Sequence, residues 1–578
     1  MHIVALGGSD AGISAALRAR EVDPGVEFTV VVADAYPNFS ICGIPYCVSG
    51  EVTHWRNLAH RTIADLEAAG MRLRLDTTAR QIDVPGRKLL VTGPDGAEDL
   101  IGYDQLVIGT GAVPSRPPIA GLDRLGPADG VHLLRSMDDT FAVMRTLDEV
   151  APDSAVIVGA GYIGLEMADA LTTRGLRVTQ IEQLPEVLPT VDPELGILVR
   201  GELEGRGVRV LTSTAVREIG RSAPGEPGPL RVDAVAADGT PVAAHAGLVL
   251  VVTGVRPETA LAVTAGAGLG ARGAIAVDRG MRTGLPGIYA AGDCVVTHHR
   301  LLGETYLPLG TTAHKQGRVA GENAARGHRE FAGSLGTQVV KIFDHAAART
   351  GLRDHEAKGA GYDPVTIGCE ADDHKAYYPG SHRVHMRFTG DRRTGRLLGV
   401  ALYGHKNAEI AKRIDIAATA IFHEMTVDQI SDLDLSYTPP LGSPWDAVQA
   451  GAQAWTRGMS LSAPLLTRPR RGRQRCHIRT RARTWRPRRH GQPSAFSSSW
   501  PPLCPRAPAR RPPAARSQRS RPAACPPAPS GSPGLAPLST PRSSPWPSRH
   551  TSSPIPVYPS ATRPWAAVPG SPASPVGR

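Results

Sequence analysis

Short apolar runs alternate along the chain with stretches in which apolar residues recur every three to four positions. Runs such as HIVAL and AVIVG are rich in β-branched residues and end in glycine. This is typical of buried strands in a parallel sheet. The segment AEIAKRIDIAATAIFHEM has the spacing of an amphipathic helix. The alternation predicts an α/β fold with Rossmann-like, three-layer units.

The first such unit opens the chain as HIVALGGSDAGISAALRARE. Gly7 and Gly12 match the outer glycines of a GxGxxG turn, and Ser9 occupies the middle position. The segment EFTVVVAD follows, and its Asp34 lies at the spacing where an acid binds a ribose hydroxyl. The unit predicts a dinucleotide site with the pyrophosphate at the helix N-terminus, and an ordinary structural turn is the alternative.

The second unit, SAVIVGAGYIGLEMADAL, has the complete motif at Gly159, Gly161 and Gly164. The strand that follows ends at Glu182, and neither Arg nor Lys occurs between 183 and 199. A carboxylate at this position binds both ribose hydroxyls and repels a 2′-phosphate. We therefore expect this unit to bind NADH in preference to NADPH.

Two dinucleotide units in one chain indicate a flavin and a nicotinamide that exchange electrons. The segments YDQLVIGTG and GIYAAGDCV each read as a buried strand that ends at a nucleotide-facing loop, and Asp293 is well placed to bond a flavin ribityl chain. The candidate cofactor-binding residues are Gly7, Gly8, Ser9, Gly12, Asp34, Thr110, Gly111, Gly159, Gly161, Tyr162, Gly164, Glu182, Gly254, Gly292 and Asp293.

The order of motifs over roughly residues 1–455 resembles the pyridine nucleotide–disulfide oxidoreductases. It runs glycine turn, Cys-x-x-Pro-Tyr, Thr-Gly, second glycine turn, Ala-Gly-Asp. The likeness is to the single-cysteine branch, which contains coenzyme A-disulfide reductases, NADH oxidases and NADH peroxidases. It implies FAD, NAD(P)H and a homodimer formed through a C-terminal α+β domain. The implied domains are FAD-binding at 1–120 with 246–330, NAD(P)H-binding at 121–245 and dimerisation at 331–455.

Cys42 stands at the start of a predicted helix, CGIPYCVSG, that has Pro45 in its first turn. A helix N-terminus lowers a thiol pKa, so we expect a reactive thiolate there. The resemblance implies that Cys42 lies over the flavin and accepts its electrons. The family pattern is matched in part, because Asn38 replaces a serine and Gly50 falls one place late. Inert packing is the alternative for a lone cysteine.

Other residues of the family pattern indicate which electron acceptor the enzyme uses. Asp10 occupies the place where the peroxidases carry a histidine, which disfavours peroxide. The resemblance implies that a partner-subunit tyrosine protonates the departing thiolate, and Tyr437 and Tyr378 are the candidates, with Tyr377 beside the latter. Cys47 leaves open an internal disulfide with Cys42.

These residues predict an enzyme that passes electrons from NAD(P)H through FAD to Cys42. The expected acceptor is a small disulfide, of which coenzyme A disulfide is one, or a persulfide. An NADH oxidase that uses O2 is one alternative. A flavin-based redox sensor or binding protein is the other. We predict no metal site, because no His/Cys cluster has metal-ligand spacing.

The C-terminal 112 residues differ in composition from the rest of the chain. Residues 467–578 contain 21 Arg and 25 of the 51 Pro but no Asp, Glu or Lys, so the preceding body carries a net charge of about −10. The segment predicts a disordered tail. An RNA-binding arm and an out-of-frame, non-functional extension are the alternatives, and we expect no nucleic-acid partner. The body reads as a soluble, cytoplasmic protein, without an export leader or a membrane segment.

Overall fold

The computed structural model describes residues 1–462, and the predicted tail at 467–578 lies outside the described residues. The first part of the chain contains eight strands and three helices. In chain order these are β1 (His2–Leu6), α1 (Asp10–Val22), β2 (Glu27–Val31), α2 (Ile44–Ser49), α3 (Ile63–Ala68), β3 (Met71–Arg74), β4 (Thr78–Asp83), β5 (Lys88–Thr92), β6 (Glu98–Gly102), β7 (Gln105–Ile108) and β8 (Ala112–Pro114).

The second part contains nine strands and three helices. These are β9 (Val131–Leu133), α4 (Met137–Arg145), β10 (Ser154–Val158), α5 (Tyr162–Thr173), β11 (Arg177–Ile181), α6 (Pro193–Gly205), β12 (Arg209–Leu211), β13 (Thr214–Arg221), β14 (Leu230–Ala236), β15 (Pro241–Ala246), β16 (Leu248–Val251) and β17 (Val255–Pro257).

The chain then continues into the last two parts of the described fold. These are α7 (Ala260–Thr264), β18 (Ile288–Ala290), β19 (Thr297–His299), β20 (Gly303–Thr305), α8 (Gly310–Ala324), β21 (Gln338–Ile342), β22 (His345–Gly351), α9 (Asp354–Gly359), β23 (Pro364–Asp372), β24 (Arg383–Asp391), β25 (Leu397–His405), α10 (Ile410–Phe422), α11 (Val427–Ser431) and α12 (Ala447–Ser462).

The first parallel sheet has the strand order β18-β7-β1-β2-β3. Its central strand β1 is apolar on both faces, and Ile3, Val4 and Ala5 are fully buried. Helices cover both faces of such a sheet, so a continuous apolar run is favoured over an alternating one. Strand β18 follows the second nucleotide unit in the chain, so distant segments build this sheet. The boundaries at 120, 246 and 330 stay a prediction.

The second parallel sheet has the order β12-β11-β10-β16-β9 and repeats this design. All five residues of β10 are buried. In both sheets the central strand runs directly into a glycine turn and a helix, α1 in the first and α5 in the second. The ligand-binding edge of an open parallel sheet lies at these carboxyl ends. The predicted α/β class with two Rossmann-like units is confirmed.

The C-terminal sheet is antiparallel, in the order β21-β22-β25-β24-β23. Helices α10 and α12 pack on it around a core that includes Phe388, Leu402 and Trp455. The segment KIFDHAAARTGL reads from the sequence as a strand followed by a helix, and this was wrong. It forms a hairpin, because β22 pairs with both β21 and β25. Tertiary pairing here overrides the helix propensity of three consecutive alanines.

Among the helices of residues 1–462, none has the length and apolar character needed to cross a membrane. The same residues contain no group of three or more His, Cys, Asp or Glu side chains that could hold a metal ion.

Candidate active site

The first glycine turn leaves no space for side chains at its outer glycines. Gly7 has φ of +104°, and a Cβ there would lie 2.1 Å from the carbonyl oxygen of Gly109. A Cβ at Gly12 would lie 2.0 Å from the carbonyl oxygen of Gly7. Ser9 is the N-cap of α1 and makes no side-chain capping bond. The turn is therefore closed against the sheet, and its serine hydroxyl is not used by the helix.

The second glycine turn combines tight packing with one open position. A Cβ at Gly164 would lie 2.2 Å from the carbonyl oxygen of Gly159, which has φ of +109°. A Cβ at Gly161, by contrast, would meet nothing within 4 Å, and Gly161 lines a large cavity. Open space above the middle glycine is what the approach of a pyrophosphate requires.

The two predicted ribose-binding acids are placed differently. Glu182 follows β11 directly and is buried, with its carboxylate accepting bonds from the N–H groups of Ala160 at 2.7 Å and Leu184 at 2.9 Å. Asp34 lies three residues beyond β2 and accepts a bond from the Tyr36 N–H at 2.8 Å. Burial raises the pKa of the Asp34 carboxyl.

The two strand-end segments flank the first glycine turn. Gly292 has φ of +90°, and its N–H donates to the Gln316 side chain at 3.0 Å. The Asp293 carboxylate forms an ion pair with Arg135 at 2.6 Å. Burial raises the pKa of Asp293, and Arg135 opposes that effect. Thr110 donates its hydroxyl hydrogen to the Glu258 carbonyl at 2.6 Å.

Arg135 was missed in the sequence because its partner is 158 residues away. The remaining predicted glycines of this region, Gly111 and Gly254, have φ of +71° and +115°, and a Cβ would meet nothing within 4 Å at either. Gly8 packs on the side chain of Val32, where a Cβ would come within 2.7 Å. These positions therefore need glycine for conformation or for close packing.

One cavity of about 1720 Å³ joins the predicted nucleotide and thiol residues. Its wall includes predicted site residues from the segment before α2 and from the second part of the chain. These residues are Cys42, Gly159, Gly161, Tyr162, Glu182 and Gly254. The Tyr162 hydroxyl accepts a bond from the Thr190 hydroxyl at 3.0 Å, which fixes its ring on this wall. The structure thus brings the predicted thiol and the predicted NADH turn to one space.

Cys42 lies in a short 3-10 turn that precedes α2. Its thiol is free and is exposed to the cavity. Burial against the cavity wall raises the thiol pKa, the carboxylates of Glu166 and Asp10 act in the same direction, and Arg135 opposes them. The expectation of a lowered pKa was therefore wrong for the protein alone. Helix α2 has six residues, so the carboxylates and the desolvation outweigh its N-terminal field.

Glu166 is a second site residue that sequence reasoning missed. It lies on α5, lines the cavity and accepts a bond from the Tyr46 hydroxyl at 3.2 Å. Burial raises its pKa to about 7, against the lowering effects of Tyr46 and Lys341. A strongly shifted carboxyl at a cleft is a common mark of a functional group. The sequence offered one signal for this contact, since its donor Tyr46 belongs to the Cys-x-x-Pro-Tyr motif.

The predicted tyrosines lie away from Cys42 within one protomer. Tyr378 and Tyr437 are exposed and are not part of the cavity wall. Their loops touch, because the Lys375 N–H donates to the Pro439 carbonyl at 3.4 Å. The structure of one protomer therefore brings the loops of the two tyrosines into contact but places neither tyrosine on the cavity wall with Cys42.

The other cysteines of the described residues do not share the setting of Cys42. Cys47 is free and buried inside α2, so Cys42 and Cys47 are not joined in this structure. Cys294 is fully buried, and its S–H group donates to backbone carbonyls. Burial raises the pKa of Cys369 to about 11. Cys42 is thus the one cysteine on the cavity wall among residues 1–462.

Comparison with known proteins identifies the class of this fold and site. The family model for pyridine nucleotide-disulphide oxidoreductases matches residues 1–317, and the model for the dimerisation domain of these enzymes matches residues 337–447. The chain belongs to this family. It is an FAD-dependent, NAD(P)H-using oxidoreductase, as the resemblance implied.

Three similar proteins show how closely and over how much of its length the chain is matched. An NADH oxidase of Methanocaldococcus jannaschii is 32% identical over 78% of this chain and 98% of its own length. A CoA-dependent NAD(P)H sulfur oxidoreductase of Pyrococcus furiosus is 33% identical over 77% and 96%. The solved structure of an NAD-dependent persulfide reductase from A. fulgidus has a TM-score of 0.73 and 37% identity, with 80% and 84% covered.

The residues present fit the two cofactors. The closed first turn, the unused Ser9 hydroxyl and the buried Asp293 would hold FAD. The open position above Gly161 and the Glu182 carboxylate would hold the nicotinamide dinucleotide. Both sets lie at the carboxyl ends of parallel strands, where such ligands bind.

Proposed function

We propose that this protein is an NADH-dependent reductase of a small disulfide or persulfide, with Cys42 as its redox-active thiol. The observation that carries the proposal is the position of Cys42 on the wall of the cavity that also holds Gly161 and Glu182. Bound FAD would supply hydride acceptance from the nicotinamide and two-electron transfer toward sulfur. The buried Glu182 carboxylate favours NADH over NADPH, because it repels a 2′-phosphate.

The thiol chemistry balances with one NADH per disulfide. The Cys42 thiolate attacks one sulfur of the substrate, so a new S–S bond forms to Cys42 and the other half leaves as a thiolate. Two electrons, which come from NADH, then break the new bond and return Cys42 to the thiolate. Each cycle uses one proton besides NADH and releases two thiols. A persulfide substrate would release sulfide in place of the second thiol.

The leaving thiolate needs a proton donor, and we propose Tyr437 or Tyr378 of a second copy. Both are exposed on touching loops of the part that matches the dimerisation domain. Leu441 and Trp445, four and eight residues after Tyr437, are also exposed apolar side chains. We therefore propose a homodimer in which each cavity receives tyrosines from the partner.

Coenzyme A disulfide is the first substrate to test, since a similar enzyme is described as CoA-dependent. The experiment compares Cys42→Ser with wild type, following NADH oxidation with coenzyme A disulfide and with O2. We expect the disulfide activity to fall at least about a thousandfold. Cys47→Ser is the matched control, because its thiol is buried in α2 away from the cavity. Disulfide reduction that survives in Cys42→Ser would overturn the proposal.

An NADH oxidase is the second candidate, favoured by the raised pKa of Cys42 and by the similarity to an NADH oxidase. A raised pKa lowers the fraction of reactive thiolate, and bound FAD could supply reactivity toward O2 that needs no thiol. In the same assays this candidate predicts rapid O2 consumption that iodoacetamide leaves unchanged. The reductase predicts disulfide activity that iodoacetamide abolishes.

A further inference from the structure

A polar cluster outside the predicted site connects the C-terminal sheet to the cavity. Lys341 of β21 extends its ammonium group to the Asp169 carboxylate of α5 at 2.8 Å and to the Glu51 carboxylate at 3.0 Å. The same nitrogen lies 5.4 Å from the centre of the Tyr46 ring. One side chain of the C-terminal part therefore contacts α5, α2 and Glu51, which is two residues beyond the end of α2.

The cluster is anchored on the side of the C-terminal sheet. One carboxylate oxygen of Asp169, Oδ2, accepts two hydrogen bonds. One comes from the Phe343 N–H at 2.9 Å and the other from the Lys341 ammonium group at 2.8 Å. Asp169 is 5% exposed. A buried carboxylate with two charge-assisted or backbone bonds has little freedom to move. Lys341 is thus held in one place relative to α5.

Tyr46 and Glu166 connect this cluster to the cavity, because Glu166 lines the cavity and Tyr46 contacts both Glu166 and Lys341. Glu166 is one helical turn before Asp169 on α5, and the Tyr46 hydroxyl donates to it at 3.2 Å. The titratable groups that face Glu166 are Cys42 from the turn before α2, Tyr46 from α2, Tyr162 and Asp169 from α5, and Lys341 from β21, while Glu51 after α2 faces Tyr46 and Lys341. Lys341 is the cation of this set.

We propose that Lys341 is a positioning residue for hydride transfer, which fixes Tyr46 against Glu166 and keeps Glu166 negatively charged on the cavity wall that Gly161 and Tyr162 also line. Loss of hydride turns a neutral dihydronicotinamide ring into a cation, and a fixed carboxylate near the developing charge favours that change. Because Lys341 belongs to the C-terminal part, this contact couples that part to the first half of the reaction.

The sign of the effect follows from the charges. Burial raises the pKa of Glu166 to about 7, and the positive charge of Lys341 holds it below the value that burial alone would give. Removal of that charge should raise the Glu166 pKa by about one further unit. Glu166 would then be neutral at pH 7, and hydride transfer there should slow several-fold.

The test uses the full-length holoenzyme and the variants Lys341→Met, Lys341→Arg and Glu166→Gln. Stopped-flow absorbance follows flavin reduction by NADH from pH 5.5 to 9 without O2. Infrared titration follows the protonated carboxyl band that Glu166→Gln removes, a reading that does not depend on turnover. We expect both midpoints to rise by about one pH unit in Lys341→Met and to return toward wild type in Lys341→Arg.

Two controls separate this role from general destabilisation. Lys406→Met removes another lysine ion pair of the C-terminal part, the one with Asp344 at 2.8 Å, and should move neither midpoint. In Glu166→Gln, the added Lys341→Met change should shift nothing further. Unchanged midpoints in Lys341→Met, or an equal shift in the absence of Glu166, would overturn the proposal. The two measurements follow only flavin reduction and the protonation of one carboxyl group. Their outcome therefore does not depend on which electron acceptor the enzyme uses.

Discussion

The two glycine turns of the molecule share a design but differ at the middle position and in how much of the chain completes them. The second turn is local, since Gly161 opens onto the cavity and Glu182 is bonded to the turn through Ala160. The first turn has Ser9 in place of that glycine. It is completed by Arg135 and Asp293, which are remote in sequence. A site closed by remote segments suits a retained cofactor, and an open local site suits one that exchanges.

The largest expected effect comes from adding a side chain to the tightly packed first glycine turn. Gly12→Val places a side chain where a Cβ alone would be 2.0 Å from the Gly7 carbonyl oxygen. Because the backbone must move, we expect the purified variant to lose its flavin and to be strongly destabilised. The ratio of absorbance at 450 and 280 nm and the melting temperature measure this. A variant that keeps a full complement of flavin would show that the first turn is not the FAD site.

The matching change in the second turn should spare the fold. A Cβ at Gly161 meets nothing within 4 Å, and the residue has φ of −78°. Gly161→Val should therefore retain flavin and melting temperature, while the KM for NADH rises about tenfold or more because the pyrophosphate can no longer approach the backbone. Gly201→Val, at an exposed position of α6, is the control. A normal KM would place the nucleotide elsewhere.

A smaller effect is expected at the ribose acid. Glu182→Gln removes the charge and turns one acceptor into a donor that faces a backbone N–H. We expect the KM for NADH to rise several-fold and the preference of kcat/KM for NADH over NADPH to shrink about tenfold. Glu186→Gln, whose partner is Arg200, is the control. An unchanged preference would remove Glu182 from cofactor selection.

The smallest expected effect is on stability in acid. His132 of β9 is buried beside Thr146 in the second unit, and burial lowers its pKa to about 4. The unfolded chain takes up the proton first, so stability should fall as pH drops from about 6.5 toward 4, by up to about 3 kcal/mol. His132→Gln should flatten this dependence in thermal unfolding between pH 7.5 and 4.5. Exposed His328→Gln should not.

The sequence predicts what depends on local geometry. Gly7, Gly12, Gly159 and Gly164 were found because a tight strand–turn–helix connection needs glycine at fixed spacing, and Glu182 because a strand has a fixed length. The fold class followed from the same periodicity. The chain segment around β22 was misread because its pairing partner β25 lies some 50 residues further on.

The residues that sequence reasoning missed depend on contacts between distant segments. Tyr46 and Glu166 are 120 residues apart, and Lys341 and Asp169 are 172 apart. The Cys42 pKa was misjudged for the same reason, since Glu166 and Asp10 reach the thiol from α5 and from the first turn. Charge and burial at a site are sums over the whole fold, and a motif shows one contributor.

The central claim, that Cys42 carries electrons between NADH and a small disulfide, has one direct test. Wild type and Cys42→Ser are each treated with coenzyme A disulfide, freed of excess reagent and titrated with NADH without O2, while the visible spectrum is recorded. We predict that wild type takes up two electrons more than its FAD requires and releases coenzyme A, while Cys42→Ser takes up only what FAD requires. Equal uptake by both proteins would contradict it.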